Sequence, residues 1–376
     1  MIPACSNDKS GEMAQTKMVV TLGTPRSGTS AITRGLQVLG VNLGDNLMPP
    51  SEAFNAKGFW EDLDIYKLNV EMLRAIKSDW AHTSFLSKSQ FKELRSLGFV
   101  ARASKLLREK AKGINVYGFK DPRVTKLLPF WESVFDYCEC ESSYVIALRN
   151  PMSVASSLEK FFGMDVTQSY LIWLEYTLSS MSGDTGRKRV IVDYDLLMQD
   201  PEKQLYRIAS AIGLTINEGD LGIYMKGFLD NRLRHTIYGE DDLLRDKKCP
   251  KIVAELYHYL SGMAEDNTSI NDCNVQHKIS ILVNECNKSA VHIGLVDRFF
   301  DKNNTLSEAV AERDIRLSSL SEAVAERDIR LSSLSEAVAE RDSIKSSRSW
   351  RITVPFRTIA NYIRSFRQLL ISVLRD

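Results

Sequence analysis

The stretch Val19–Ser30, reading VVTLGTPRSGTS, constrains this chain more than any other. A short apolar run (Met18, Val19, Val20, Leu22) with the composition of a buried parallel strand meets a glycine-bearing turn, after which Ala31, Ile32, Leu36 and Leu39 recur at helical spacing. Strand, turn and helix in immediate succession make a phosphate-binding unit. Gly23 and Gly28 let the backbone approach an anion. The amides and hydroxyls of Ser27, Thr29 and Ser30 gather at a helix N-terminus, where free N–H groups and the helix dipole favour negative charge.

The separation of the two glycines equals that in the phosphate loop of nucleoside triphosphatases, GxxxxGK[ST], but Thr29 stands where that loop carries its lysine. A phosphoryl-transfer loop of that kind is therefore disfavoured. The cation of the turn is Arg26, whose planar fork suits two oxygens of one anion. An ordinary Gly/Ser turn leading into a helix is the plainer alternative.

Downstream, the pattern repeats with variations. Gly40–Lys57 is rich in Gly, Pro and Asn and long enough for a functional loop. It ends in Gly58-Phe59-Trp60-Glu61-Asp62, so Glu61 and Asp62 stand at a helix start beside two aromatic rings, where acids also serve simply as dipole partners. A helical stretch is expected over residues 89–112. Residues 115–119 read as a second strand that delivers Lys120-Asp121-Pro122-Arg123, either a solvated turn or three charges at the ligand-binding edge of an open sheet. The third strand, 144–148, delivers Arg149, with Asn150 and Pro151 as N-cap and first residue of the next helix. Ser153, Ser156 and Ser157 follow in that helix, so a second anion at this junction is the better reading than a surface ion pair. A fourth strand, 189–192, ends in Asp193-Tyr194-Asp195, which looks like a magnesium-binding acid but lacks the lysine partner loop. The helix 201–212 stops at Gly213, and residues 220–300 read as mostly helical with a basic cluster at Arg232, Arg234 and His235. Alternating strands and helices predict an α/β fold: a P-loop-like three-layer arrangement with a central, mostly parallel sheet.

Composition excludes several classes. A net charge of +1 gives no bulk attraction to nucleic acid, and the six cysteines show neither metal-ligand spacing nor a disulfide framework, so no metal is expected. With no apolar core after the N-terminus and no run of eighteen apolar residues, a cytoplasmic placement is expected.

From Leu306, the fourteen residues LSEAVAERDIRLSS recur at Leu320 and, altered near the end, at Leu334. Apolar residues fall on alternating three- and four-residue steps, interrupted by Arg313, Arg327 and Arg341 at every second d position. That seam predicts a helical stalk over 305–345 of low intrinsic stability, ordered by self-association into a homo-oligomer; a solvated helix or disordered spacer is the alternative. The tail, 346–376, combines aromatic and aliphatic residues with arginines and holds no acid before Asp376. It reads as a basic amphipathic helix lying on a membrane surface, the inner face of the cytoplasmic membrane, with packing against a partner or the chain's own core as the alternative.

Taken together and in order, GTPRSGTS, GFKDPR, ALRNPMSVASSL and VDYDLLMQDPEKQLYRIASAIGL resemble the sulfotransferases that use 3′-phosphoadenosine 5′-phosphosulfate (PAPS), particularly bacterial carbohydrate-type members, over about residues 18–214. The resemblance implies a sulfotransferase domain over 17–300 behind a flexible N-terminus of residues 1–16. It implies that Thr24, Pro25, Arg26, Ser27, Gly28, Thr29 and Ser30 hold the 5′-phosphosulfate, and that Arg149 and Ser157 hold the 3′-phosphate. By the same resemblance Arg26, Glu61 and Lys120 are catalytic, Glu61 as the base, with Asp62 and Arg123 toward the acceptor. Asp62 and His82 stand as alternative bases, and Tyr194 and Asp195 as structural. The acceptor implied is a carbohydrate or glycolipid of the bacterial surface. A P-loop kinase and a non-enzymatic membrane scaffold are the rival readings. For the tail, a chain ending at Ser343 should no longer sediment with anionic vesicles as the full chain does; undiminished sedimentation would remove the membrane role.

Overall fold

The computed structural model describes residues 16–52, 54–55, 57–230, 238–265 and 270–373. All but Thr16 of the expected N-terminal segment, and the cluster Arg232, Arg234 and His235, lie outside them. Four strands, β1 (Lys17–Gly23), β2 (Val116–Lys120), β3 (Ser142–Leu148) and β4 (Lys188–Asp193), pair in the order β2-β1-β3-β4. Every pairing is parallel, with Val20 of β1 opposite Phe119 of β2 and Tyr144 of β3.

Both faces of this sheet are buried, which is why its strands are continuous apolar runs rather than alternating ones. Along β1, Met18, Val20 and Leu22 enter one core while Val19 enters the other, and along β3 Tyr144, Ile146 and Leu148 oppose Val145 and Ala147. The first core is the larger. Helices α2 (Leu63–Ala75), α4 (Phe99–Ala111), α6 (Leu128–Tyr137) and α8 (Val166–Met181) pack there around Trp131 and Trp173. On the other face lie α1 (Thr29–Leu36) and α10 (Pro201–Ile212). The outcome is the expected three-layer α/β fold.

Local signals set most boundaries. Asn150 caps α7 (Pro151–Phe162) by accepting from the Met152 amide, with Pro151 at the first helical position, and Gly213 closes α10 in the left-handed region at φ 72°. The expected helix over 89–112 is instead two. A capping box between Ser87 and Gln90 opens α3 (Lys88–Ser96), and Gly98, at φ 79°, turns the chain before α4. The helix after β1 is also shorter than its apolar periodicity: α1 stops at Leu36 and a 3₁₀ turn carries Val38 and Leu39 into the core.

Two short helices, α5 (Pro122–Lys126) after β2 and α9 (Tyr194–Gln199) after β4, are each opened by an aspartate. Lys126 of α5 is fully buried against Glu175 of α8 at 2.9 Å, and its ammonium donates to the His82 carbonyl at 2.8 Å. Glu218–Ile223 (α11), Glu240–Arg245 (α12), Lys251–Ala264 (α13) and Cys273–Lys288 (α14) continue the chain. Within Ala290–Ser346 (α15), buried Asp297 accepts from the amide of Thr83 at 2.6 Å, its hydroxyl at 2.9 Å and the amide of Ser84 at 3.1 Å.

The chain divides into two units, residues 1–300 and 301–376. In the second, the repeat is helical, its seam residues such as Leu317, Leu320 and Leu331 are exposed, and Arg313, Arg327 and Arg341 each pair with the aspartate that follows them. The tail forms α16 (Arg348–Val373), which accommodates Pro355 and exposes Ile352, Phe356, Ile359, Ile363 and Phe366. These five recur at alternating four- and three-residue steps on one face, with Arg357 and Arg364 off it and Arg367 at its edge. Among the described residues no helix is long and apolar enough to cross a membrane.

Candidate active site

With β1 central and its two neighbours reached in opposite directions, the strand order reverses between β1 and β3, and ligands of open α/β sheets sit outside the carboxyl ends at such a point. The loop after β1 and the Arg149 junction after β3 occupy it. Gly23 leaves the strand at φ 140°, and a Cβ there would stand 2.8 Å from the Ala147 carbonyl oxygen, so the position calls for glycine. Its amide donates to the Thr125 hydroxyl at 3.0 Å, tying the loop to α5. Thr24 and Ser27 are buried and build the turn from inside: Ser27 donates to the Thr24 carbonyl through both its amide and its hydroxyl. Gly28 sits at φ 87° beneath Tyr194, whose ring carbon would lie 2.1 Å from any Cβ. Among the described residues, the amides of Gly28, Thr29 and Ser30 find no protein acceptor. They are the open N–H groups of a helix N-terminus.

Arg26 does something its sequence position does not suggest. Its backbone is in the left-handed region at φ 70°, so the side chain swings toward α7, where Nε donates to Ser157 Oγ at 2.9 Å and Nη1 to the Phe54 carbonyl at 3.1 Å. Arg149 Nη1 donates to the Arg26 carbonyl at 3.0 Å, and its guanidinium lies 4.6 Å from the Tyr194 ring centre. The resemblance divides these residues between two phosphates; the structure joins them, with Arg26 bonded to the serine assigned to the other anion. Burial first, then the neighbouring Arg149, lowers the pKa of Arg26 from its ordinary value. Two guanidiniums held this close in a desolvated corner are an arrangement that a polyanion relieves.

Across the same cavity, Lys120 at the end of β2 meets Glu61 at 2.6 Å, both side chains buried. Burial pushes the Glu61 carboxyl upward, opposed by Lys120 and assisted by Asp121. Trp60, at φ 58° with its indole N–H on the Lys57 carbonyl, turns the chain so that Glu61 faces the cavity. Asp62 does not. It caps α2 through the amides of Asp64 at 2.9 Å and Ile65 at 3.2 Å and is held by Lys110 at 2.8 Å and Tyr117 at 3.2 Å, away from the lining residues. The expectation that Asp62 meets the acceptor is thereby corrected: the side chain is used up by the helix start. His82 is likewise absent from the lining, its ring edge-on to Phe300 at 6.2 Å. Arg123 does line the cavity, paired with Asp121 at 2.9 Å and lying 4.6 Å from the Tyr66 ring. Asp121 is in turn held by Asn69, and Asn69 by the indole of Trp131, both at 2.9 Å.

The cavity has a volume of about 440 Å³ and is lined by Pro25, Arg26, Gly28, Thr29, Ser30, Glu61, Lys120, Arg123 and Arg149 together with a set of rings. Three ring positions carried no sequence signal as site residues: Trp80, Phe162 and Phe228 line it from segments far apart in the chain. Tyr194 was readable only as part of a motif. It covers Gly28 and stacks on Arg149, so it belongs to the site.

No protein-family model matches the sequence, and no curated protein does. Solved structures are similar, among them three sulfotransferase structures. They are the sulfotransferase domain of the Synechococcus PCC 7002 olefin synthase, at 17% identity over 65% of this chain and 94% of that one (TM-score 0.35); the sulfotransferase domain of the curacin biosynthetic pathway, at 16% over 65% and 98% (0.35); and a sulfotransferase of Mycobacterium tuberculosis H37Rv, at 14% over 60% and 74% (0.31). At this level of superposition the functional reading rests on the site itself.

Asp193, where a magnesium ligand was considered, opens α9: Oδ1 accepts from the amides of Asp195 at 2.8 Å and Leu196 at 3.1 Å, while Oδ2 is buried without a hydrogen bond. Burial pushes its carboxyl up to about 6. The folded state therefore binds this proton more tightly than the unfolded chain, whose aspartate titrates near 4, and stability falls as pH rises through the interval between the two, by about 3 kcal/mol. Asp193→Asn keeps the capping oxygen and should lack this fall when urea midpoints are compared from pH 4 to pH 7. Parallel profiles for the two proteins would mean that Asp193 is ionised throughout.

Proposed function

We propose that this chain transfers a sulfuryl group from PAPS to a hydroxyl of a carbohydrate or glycolipid acceptor. The observation that carries the reading is the placement of Arg26, held by Ser157, together with Arg149 in the lining of a cavity that the buried Glu61–Lys120 pair also lines. Two guanidiniums, a hydroxyl and a row of open amides suit a donor with anionic groups at two positions of its ribose. A nucleoside triphosphate of the usual kind would be served by a lysine at the helix start, where this chain has Thr29.

In that chemistry the acceptor oxygen forms a bond to sulfur as the bond from sulfur to the phosphate oxygen breaks, and the hydroxyl proton must leave. Glu61 is the group placed to take it, held at the cavity wall by the fixed turn at Trp60. Its elevated affinity for protons makes the carboxylate a stronger base than a solvated one. Lys120, which holds Glu61 in the free protein, is within reach of the same cavity and would exchange that contact for the sulfuryl oxygens or the leaving phosphate, where charge develops. The Gly28–Ser30 amides contribute fixed dipoles that need no reorganisation. Phosphoryl transfer has the same requirements, usually met by a metal ion. The basic, one-sided α16 supports attachment to an anionic membrane, which raises the local concentration of a lipid-linked acceptor, and the exposed seam of the repeat supports self-association.

Calorimetric titration without magnesium should give tighter binding of adenosine 3′,5′-bisphosphate than of ATP or AMP, a preference lost in Arg149→Ala. Preference for ATP restored by magnesium would put a kinase first, and no binding of any nucleotide would leave the scaffold reading. Once an acceptor is in hand, Glu61→Gln should lower kcat by about a hundred- to ten-thousandfold with bisphosphate binding retained. An unchanged kcat would remove Glu61 as the base.

A further inference from the structure

The cavity has two aromatic walls of different character. On one, Phe228 lines the cavity and meets Trp60, which does not line it, edge to face at 5.8 Å, and two cations lie over the pair: Arg34 at 5.5 and 5.7 Å from the two ring centres and Lys57 at 6.0 Å from Phe228. On the other, Phe54 and Phe162 stack at 6.0 Å with their planes 25° apart, and Phe162 meets Trp80 at 5.3 Å. These three rings line the cavity, whereas Phe161, on which Arg26 and Lys160 stack, does not. Among the described residues no cation stacks on the three rings of this second wall, although Arg26 donates to the Phe54 carbonyl.

Its rings come from separate elements: Phe54 from the loop after α1, Phe162 from the end of α7 and Trp80 from the segment after α2. Trp80 is pinned through its carbonyl, which accepts from the Tyr176 hydroxyl at 2.9 Å. Phe54 and Phe162 nevertheless keep 42% and 48% of their surface exposed. Large rings gathered from three segments and left wet, continuous with a cavity that holds polar chemistry, mark a surface that an apolar ligand covers.

We infer that the acceptor carries its hydroxyl next to a hydrocarbon chain, and that this chain lies along Phe54, Phe162 and Trp80. The inference rests on Glu61 meeting the acceptor, as proposed above, and narrows the acceptor to a lipid-bearing molecule. Charge separates the two ligands. The cation-covered wall and the guanidinium corner suit the anionic donor, and the uncharged wall is left for the acceptor. A free sugar would find polar partners such as Glu61, Lys120, Arg123 and Asn55, but would leave much of the ring row uncovered.

The full chain is titrated calorimetrically with methyl, butyl and hexyl glucoside, below the concentration at which any of them aggregates. Affinity should rise about two- to fourfold per added methylene, fourfold being the limit of complete burial. The half-exposed Phe162 can be replaced by serine without opening the core, and in Phe162→Ser and Trp80→Ala the rise should flatten. Equal affinity for the three glycosides overturns the inference. So does a rise that persists undiminished in both variants, which would place the alkyl chain on α16. Adenosine 3′,5′-bisphosphate is titrated into the same samples: binding of the bisphosphate alongside a flat glycoside series sinks the hydrocarbon wall and leaves the donor site standing. A steep, Phe162-dependent series without bisphosphate binding does the reverse.

Discussion

Two arginines at the carboxyl ends of β1 and β3, one bonded through its guanidinium to the backbone of the other, are the constraint on which the rest of the site depends. Left to themselves, Arg26 and Arg149 would separate into solvent, each to its own hydration shell. They are kept together by the positive φ of Arg26, by its bonds to Ser157 and the Phe54 carbonyl, and by Arg149's hold on the Arg26 backbone. Tyr194 completes the arrangement by lying over Gly28 and against Arg149. A backbone residue in an unfavourable region at a ligand-binding loop costs on the order of 1–3 kcal/mol and persists because its surroundings over-determine it. Here the surroundings are a strand edge, two helix starts and an aromatic lid.

The pair Glu61 and Asp62 shows how adjacent like residues part company. A carboxylate at a helix N-cap is held by amide donors, and Asp62 has two such donors as well as Lys110. Glu61, one residue earlier and turned by Trp60, pairs with Lys120 in a buried site that raises its proton affinity. One is spent on the fold and the other lines the cavity. The same division separates Asp193, a helix opener, from the magnesium ligand it resembles, and Thr24 and Ser27, which shape the loop from within, from the Gly28–Ser30 amides, which face outward.

Much of the architecture was legible because parallel strands buried on both faces are short, apolar and β-branched, and because the caps at Asn150, Pro151 and Gly213 have local causes. The errors also have local causes. The helix over 89–112 is broken by Gly98, which is compatible with helical periodicity on both sides yet lies in a left-handed conformation. Leu39 keeps the apolar spacing of α1 after the helix itself has ended, since a tighter turn delivers it to the same core.

By itself the sequence determined the strands, the glycine-bearing turn after β1 and the cationic residues at the strand ends, since each follows from residue type and spacing within a few positions. Only the tertiary structure decided which of them meet. Ser157 and Arg26 are 131 residues apart and Lys120 and Glu61 are 59 apart, and no local rule joins them. The ring row of Phe54, Phe162 and Trp80 is the extreme case, because an aromatic side chain has the same local signature in a core as on a cavity wall. Its role depends on what packs over it, and that is set by the crossing of elements distant in the chain.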